Sequence, residues 1–211
     1  MVKGLYQDAT GSVIVKDFRP APLDADQVRL RSTLATIKHG TTFHLFSGQS
    51  PFASGRFDPE LRMFVPAEDV PTQSGKYVGN MVAGEVCEIG QNVTRFAVGD
   101  RVFCHGPACE LVARPQKAVT VFPADLKEAD AICLDPAHIA FAAVRDARIC
   151  LGDNVVVFGL GAIGQFVVQM LRAGGCMNVF AVDPIARRRE LACRLGATAT
   201  FDPSNEDVAL A

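Results

Sequence analysis

Residues 155–164, Val-Val-Val-Phe-Gly-Leu-Gly-Ala-Ile-Gly, leave this chain few ways to fold. The apolar run bounded by Asp153-Asn154 reads as a buried parallel strand. Ile163, Val167 and Leu171, recurring every fourth residue, read as the inward stripe of a helix packed on a sheet. Three spaced glycines join the two. Gly159 permits a tight turn, Gly161 lets backbone approach a ligand, and Gly164 lets helix and strand pack closely. A second strand, residues 178–182, follows the Gly174-Gly175 helix stop and ends in Asp183.

Strand, glycine turn, helix, second strand and terminal acid, in that order, point to a dinucleotide site. The turn and first helical residues, Gly159, Gly161, Ala162, Ile163 and Gly164, offer free N–H groups and positive dipole potential to a pyrophosphate. Asp183 can accept hydrogen bonds from both hydroxyls of the adenosine ribose. A 2′-phosphate would meet that carboxylate head-on, which favours NAD over NADP. Arg187, Arg188 and Arg189 moderate this preference, because one of them, with Arg188 the candidate, could bind adenine or accommodate a phosphate. The competing reading is a tight turn in some other strand–helix–strand unit, with Asp183 merely solvated.

Composition narrows the setting. With 49% hydrophobic and 21% charged residues and a net charge of −2, the chain suits a soluble globular protein and gives no electrostatic reason to expect nucleic acid or an anionic membrane as partner. Gln165, Gln169 and the turn glycines interrupt the most apolar window, so it is not a membrane span, and the N-terminus has no apolar signal region. Seven cysteines, an odd number with no CxxC pair, suggest a reduced, cytoplasmic protein with mostly buried thiols. Cys104-His105 and Cys109 lack the spacing of a closed zinc knuckle.

Before residue 135 the pattern is one of short strands. Val28, Leu30, Ser32 and Leu34 alternate with polar neighbours, and β-rich runs lie at 82–89, 101–104, 111–113 and 118–122, separated by turn residues. An all-β domain of barrel type, residues 1–134, followed by an α/β domain, residues 135–211, is the expected organisation, with a connecting helix over 136–149. Residues 47–76 read as a long irregular stretch, either a substrate-side loop or a disordered segment, and its apolar content, too high for a solvated linker, favours the loop.

The chain resembles the medium-chain dehydrogenase/reductase family, the zinc alcohol and sorbitol dehydrogenase group. Gly84-Glu85-Val86 through Gly90, Val98-Gly99-Asp100-Arg101-Val102, Asp135-Pro136 and the Gly159–Gly164 turn with Asp183 carry the likeness. It implies a GroES-like β-barrel followed by the first half of a Rossmann dinucleotide-binding domain, with the chain truncated inside that domain and a homodimer in a full-length form. It also implies an oxidoreductase that moves hydride between NAD(H) and a small-molecule alcohol or carbonyl. An NADPH-dependent quinone or enone reductase and a non-catalytic dinucleotide-binding protein are the rival expectations.

The departures from the family pattern concern zinc. Where zinc members carry Cys-Gly-Ser/Thr-Asp-x-His, this chain has His39-Gly40-Thr41-Thr42-Phe43-His44, and Gly-His-Glu has become Gly79-Asn80-Met81. Asp135 stands where the third ligand would be, leaving His39 and Asp135 as the only plausible donors, fewer than the three a catalytic zinc needs. The four-cysteine structural zinc loop is missing too, as in zinc-free branches similar to bacteriochlorophyllide dehydrogenase and, more distantly, quinone reductases. The expectation is therefore no metal. Thr41 matches the hydroxyl that exchanges a proton with the substrate oxygen, His44 the histidine that relays it to solvent, and Thr42, His39 and His138 are further groups that could polarise a carbonyl.

Overall fold

The computed structural model describes residues 1–8, 10–38, 40, 55–66 and 76–209. They form two compact units, Met1–Ile132 and Cys133–Ala211. The first contains β1 (Val2–Gln7), β2 (Val13–Phe18), β3 (Gln27–Ala35), β4 (Gly55–Asp58), β5 (Met63–Pro66), β6 (Lys76–Tyr77), β7 (Met81–Ile89), β8 (Arg101–His105), β9 (Leu111–Pro115), β10 (Val119–Val121) and a short helix α1 (Glu128–Ala131). In the second, α2 (Leu134–Asp146) precedes β11 (Asn154–Phe158), α3 (Ala162–Ala173), β12 (Asn178–Val182), α4 (Ala186–Arg194) and β13 (Ala199–Phe201).

The main sheet of the first unit has the order β10-β8-β7-β3-β9, all antiparallel, and a smaller sheet runs β2-β1-β6. A bridge between Gly4 and Cys109, with the Leu5 N–H on the Ala108 carbonyl and the Glu110 N–H on the Lys3 carbonyl, joins them, so the sheet curls around one core. That core is mostly β-branched: Val28, Leu30, Val82, Val86, Val102, Val112 and Val119 are essentially buried. Val28 and Leu30 follow the expected alternation, but Leu34 is 36% exposed. Register shifts in the β3–β7 pairing at Arg29/Leu30 and Ser32/Leu34 re-aim the end of the strand, which a strict period of two does not anticipate. Buried Arg29 is held by Glu88 at 2.6 Å and the Ala21 carbonyl at 2.8 Å.

The stretch expected to be irregular is partly ordered. Residues 55–66 form the β4–β5 hairpin, closed by Asp58, whose carboxylate accepts the Glu60 and Leu61 N–H groups, and by an edge contact of Phe57 with Phe64. Residues 47–54 and 67–75 of that stretch lie outside the described residues.

In the second unit a three-stranded parallel sheet, β11-β12-β13, carries α3 and α4, and α2 packs on α3. Its core is Val157, Leu160, Val168, Leu171, Val179, Ala181 and Ala192. Two sequence expectations need adjustment. Of the four apolar residues 155–158 only Val157 is buried, because β11 is an edge strand of this sheet, and Phe158 is 72% exposed. The inward stripe of α3 runs through Gly164, Val168 and Leu171, with Ile163 38% exposed. Gly164 itself must face the strand, which rotates the helix by one residue from the predicted stripe. No helix among the described residues is long and apolar enough to cross a membrane.

Candidate functional site

The glycine turn is braced from three directions. Gly159 leaves β11 with φ +84, a conformation that suits glycine, and its N–H donates to the Val182 carbonyl at the end of β12, 2.8 Å. A Cβ on Gly164 would run into the Gly159 carbonyl oxygen, so only glycine lets α3 approach the turn this closely. A Cβ on Gly161 would meet open space, and no side chain caps α3. The amides of the first helical turn, starting at Ala162 and Ile163, therefore keep the donor capacity and dipole that an anionic ligand uses.

Asp183 is the clasp. It is only 2% exposed, and its Oδ2 accepts the Leu160 N–H of the turn at 2.8 Å while its Oδ1 accepts the Ile185 N–H ahead of α4 at 2.8 Å. Arg188 Nη1 reaches Oδ2 at 3.3 Å. Burial pushes the carboxyl up, but the Ile185 and Leu160 N–H groups and the Arg188 guanidinium outweigh it and hold it below the usual carboxylate range. Three of about four acceptor positions are thus occupied.

The structure also separates the three arginines. Arg189 is committed to Asp202 at 3.1 Å and to the Asp183 carbonyl at 2.6 Å, Arg188 leans on the Asp183 carboxylate, and Arg187 is exposed. Gln165, which sequence reasoning passed over as a break in an apolar window, ties the turn to α4. Its Nε2 donates to the Leu160 carbonyl at 3.1 Å and the Arg188 carbonyl at 2.9 Å, and its Oε1 is buried without a partner.

A second feature lies in the first unit. A cavity of about 510 Å³ is walled, among the described residues, by Tyr77, Gly79, Asn80, His105, Gly106 and Arg114. Its floor is tight backbone. A Cβ on Gly79 would strike the Ala108 nitrogen and the Gly106 carbonyl oxygen, Asn80 donates its N–H to the Thr36 carbonyl, and Gly106 donates to the Asn80 carbonyl. Arg114 was not distinguished by sequence spacing, since only the β3–β9 and β7–β8 pairings bring it to residues 79–80 and 105–106.

His39, Thr41, Thr42 and His44 lie outside the described residues. Asp135 and His138 belong to α2 of the second unit. Asn80 and Met81 supply an amide and a thioether where a catalytic zinc would need an imidazole and its neighbouring acid, so this donor set does not fit the metal. Of the thiols, Cys104, Cys109 and Cys176 are buried, Cys87 and Cys133 half-buried, and Cys150 and Cys193 exposed.

An antiparallel barrel-type unit followed by a strand–helix–strand unit with a clasped glycine turn defines a chain of dehydrogenase architecture. Residues 24–169 match the alcohol dehydrogenase GroES-like domain and residues 162–210 the zinc-binding dehydrogenase family, and the chain belongs to this medium-chain alcohol dehydrogenase family. It is 38% identical over 214 residues to D-guloside 3-dehydrogenase of Escherichia coli (strain K12), covering 98% of this chain and 61% of the relative. It is 29% identical over 157 residues to (R,R)-butanediol dehydrogenase of Bacillus subtilis (strain 168), covering 62% of this chain and 45% of the relative. The crystal structure of 2R,3R-butanediol dehydrogenase from Bacillus subtilis superimposes with a TM-score of 0.78 at 22% identity, over 100% of this chain and 66% of that one, a likeness of fold. The chain spans about 61% of the length of the D-guloside dehydrogenases it matches.

Proposed function

We propose that this chain serves an NAD-dependent oxidoreductase that transfers hydride between the nicotinamide and a secondary alcohol of a sugar-like substrate, without catalytic zinc. The observation that carries this reading is the Gly159–Gly164 turn clasped by buried Asp183. The turn amides of Gly161, Ala162 and Ile163 would hold the pyrophosphate. Asp183 has one acceptor position open for a ribose hydroxyl, and a second hydroxyl would take the place of Arg188, which then swings to the adenosine side. A 2′-phosphate beside this carboxylate would meet like charge, which supports NAD over NADP. The sugar-like substrate is supported by the 38% identity to a D-guloside 3-dehydrogenase.

A bound nicotinamide supplies the hydride acceptor. This chain's residues must manage the hydroxyl proton that leaves with the hydride. By resemblance, Thr41 takes it from the substrate oxygen and His44 passes it to solvent, a task suited to an imidazole, which can both accept and donate a proton. With Asn80 and Met81 in place of the ligand and its acid, polarisation falls to hydrogen bonds from Thr41, Thr42 and His39.

Initial rates with NAD⁺ and NADP⁺ on a panel of glycosides, before and after dialysis against a chelator, test this directly. The expected result is turnover with NAD⁺ that survives the chelator and falls about 100-fold or more in Thr41→Val. Loss of activity on chelation, or an undiminished Thr41→Val rate, contradicts it.

A further inference from the structure

We propose that the cavity beside Asn80 is an anion-accepting subsite in which Arg114 selects sugars that carry a carboxylate or phosphate. Arg114 is half-buried on β9, and two carbonyls fix its guanidinium plane: Nε donates to His105 at 2.8 Å and Nη1 to Ala113 at 2.8 Å. Neutral carbonyls orient a guanidinium but do not balance its charge. Among the described residues no carboxylate lies within ion-pair distance of Arg114, and Nη2 has no partner.

Gly106 forms the wall beside that nitrogen. A Cβ on Gly106 would sit 3.6 Å from Nη2, an ordinary contact, and 3.1–3.2 Å from the Val112 and Val82 side chains, so a longer side chain there would crowd the guanidinium. His105 adds an exposed imidazole, and none of the described residues lining the cavity is acidic. The depression is open to solvent and spans about 510 Å³, room enough for a hexose to lie against Arg114. A guanidinium held in one plane with an unused N–H edge is a receptor for an oxyanion, and charge-assisted bonds of this kind are about twice as strong as neutral ones. That the anion lies beside the reacting hydroxyl rests on the function proposed above, since Asn80 stands at a former zinc-ligand position. The anion binding itself does not.

The test is a titration of the ¹⁵N-labelled 211-residue chain with D-glucuronate, D-glucose 6-phosphate and D-glucose, following the Arg114 Nε–H resonance. At least one of the acids should move that resonance at a concentration about tenfold or more below that needed for glucose, and the two acid arms tell carboxylate from phosphate. In a folded Arg114→Gln variant, read from backbone amide shifts, the preference for the acid should fall to within about twofold of glucose. The unsubstituted Arg114 resonance reports binding even if that variant does not fold. Equal affinity for acids and glucose, an unmoved Arg114 signal, or a preference that survives Arg114→Gln overturns the proposal. NADH titration of the same samples reads the cofactor site separately, so failure of one does not obscure the other.

Discussion

The two candidate sites in this molecule are built in opposite ways. The dinucleotide turn is local: β11, the glycines and the start of α3 occupy one run of sequence, and Asp183 and Arg188 arrive one strand later. The cavity beside Asn80 is non-local, with Tyr77, Asn80, His105 and Arg114 delivered by four different strands or strand ends of a curled antiparallel sheet. A local site announces itself in spacing, whereas a non-local one becomes visible only once strand pairing is known. The local site is also internally braced and intolerant of added volume at Gly164, while the cavity is open and, among the described residues, offers no carboxylate to Arg114.

The largest effect expected from this contrast is at Gly164. Gly164→Ala places a methyl group against the Gly159 carbonyl oxygen, so α3 must shift away from the turn. It should cost about 1–3 kcal/mol of stability by overpacking and abolish NADH binding in the same variant. Urea unfolding and a cofactor titration check both, and NADH binding at the unsubstituted affinity would show that the turn is not the cofactor site.

That intolerance explains what was legible in the sequence. The order strand, turn, helix, strand and acid follows from residue types whose backbone roles are nearly unique, so β12 and Asp183 fall where the spacing puts them. What the pattern could not show was the second role of Asp183. A terminal acid reads as a ribose ligand, yet here it first holds the Leu160 and Ile185 amides, and only folding brings those donors to it. In the barrel unit β3 and β7–β10 are legible in the sequence, while β1, β2 and the β4–β5 hairpin are not, and the register of β3 is hidden because its bulges leave Leu34 exposed against the alternation. Arg114 sits before Pro115 and gains its place beside Asn80 only from pairings between distant segments.

A smaller effect follows from the acid. The folded Asp183 carboxyl lies below the usual range, so its contribution to stability is fully present above the unfolded value near 4 and is lost as pH falls through the folded value. Below about pH 4 the original chain should therefore lose stability more steeply with falling pH than Asp183→Asn, measured by thermal unfolding across that window. Parallel pH profiles would mean that the Leu160 and Ile185 contacts do not favour the charged form.

The smallest effect separates the thiols. Burial pushes Cys104 and Cys109 up to about 11, with Arg114 only partly offsetting it. Native-state alkylation at mildly alkaline pH, read by mass spectrometry, should label exposed Cys150 and Cys193 and spare both barrel thiols. Rapid labelling of Cys104 or Cys109 would show that the core around Val82 and Val112 opens.

The central claim is that the clasped glycine turn is an NAD site, and fluorescence titration of the chain with NADH and then NADPH tests it most directly, with no tryptophan to interfere. NADH should bind more tightly than NADPH, and Asp183→Asn should narrow the difference. Tighter binding of NADPH, or binding of neither, would contradict it.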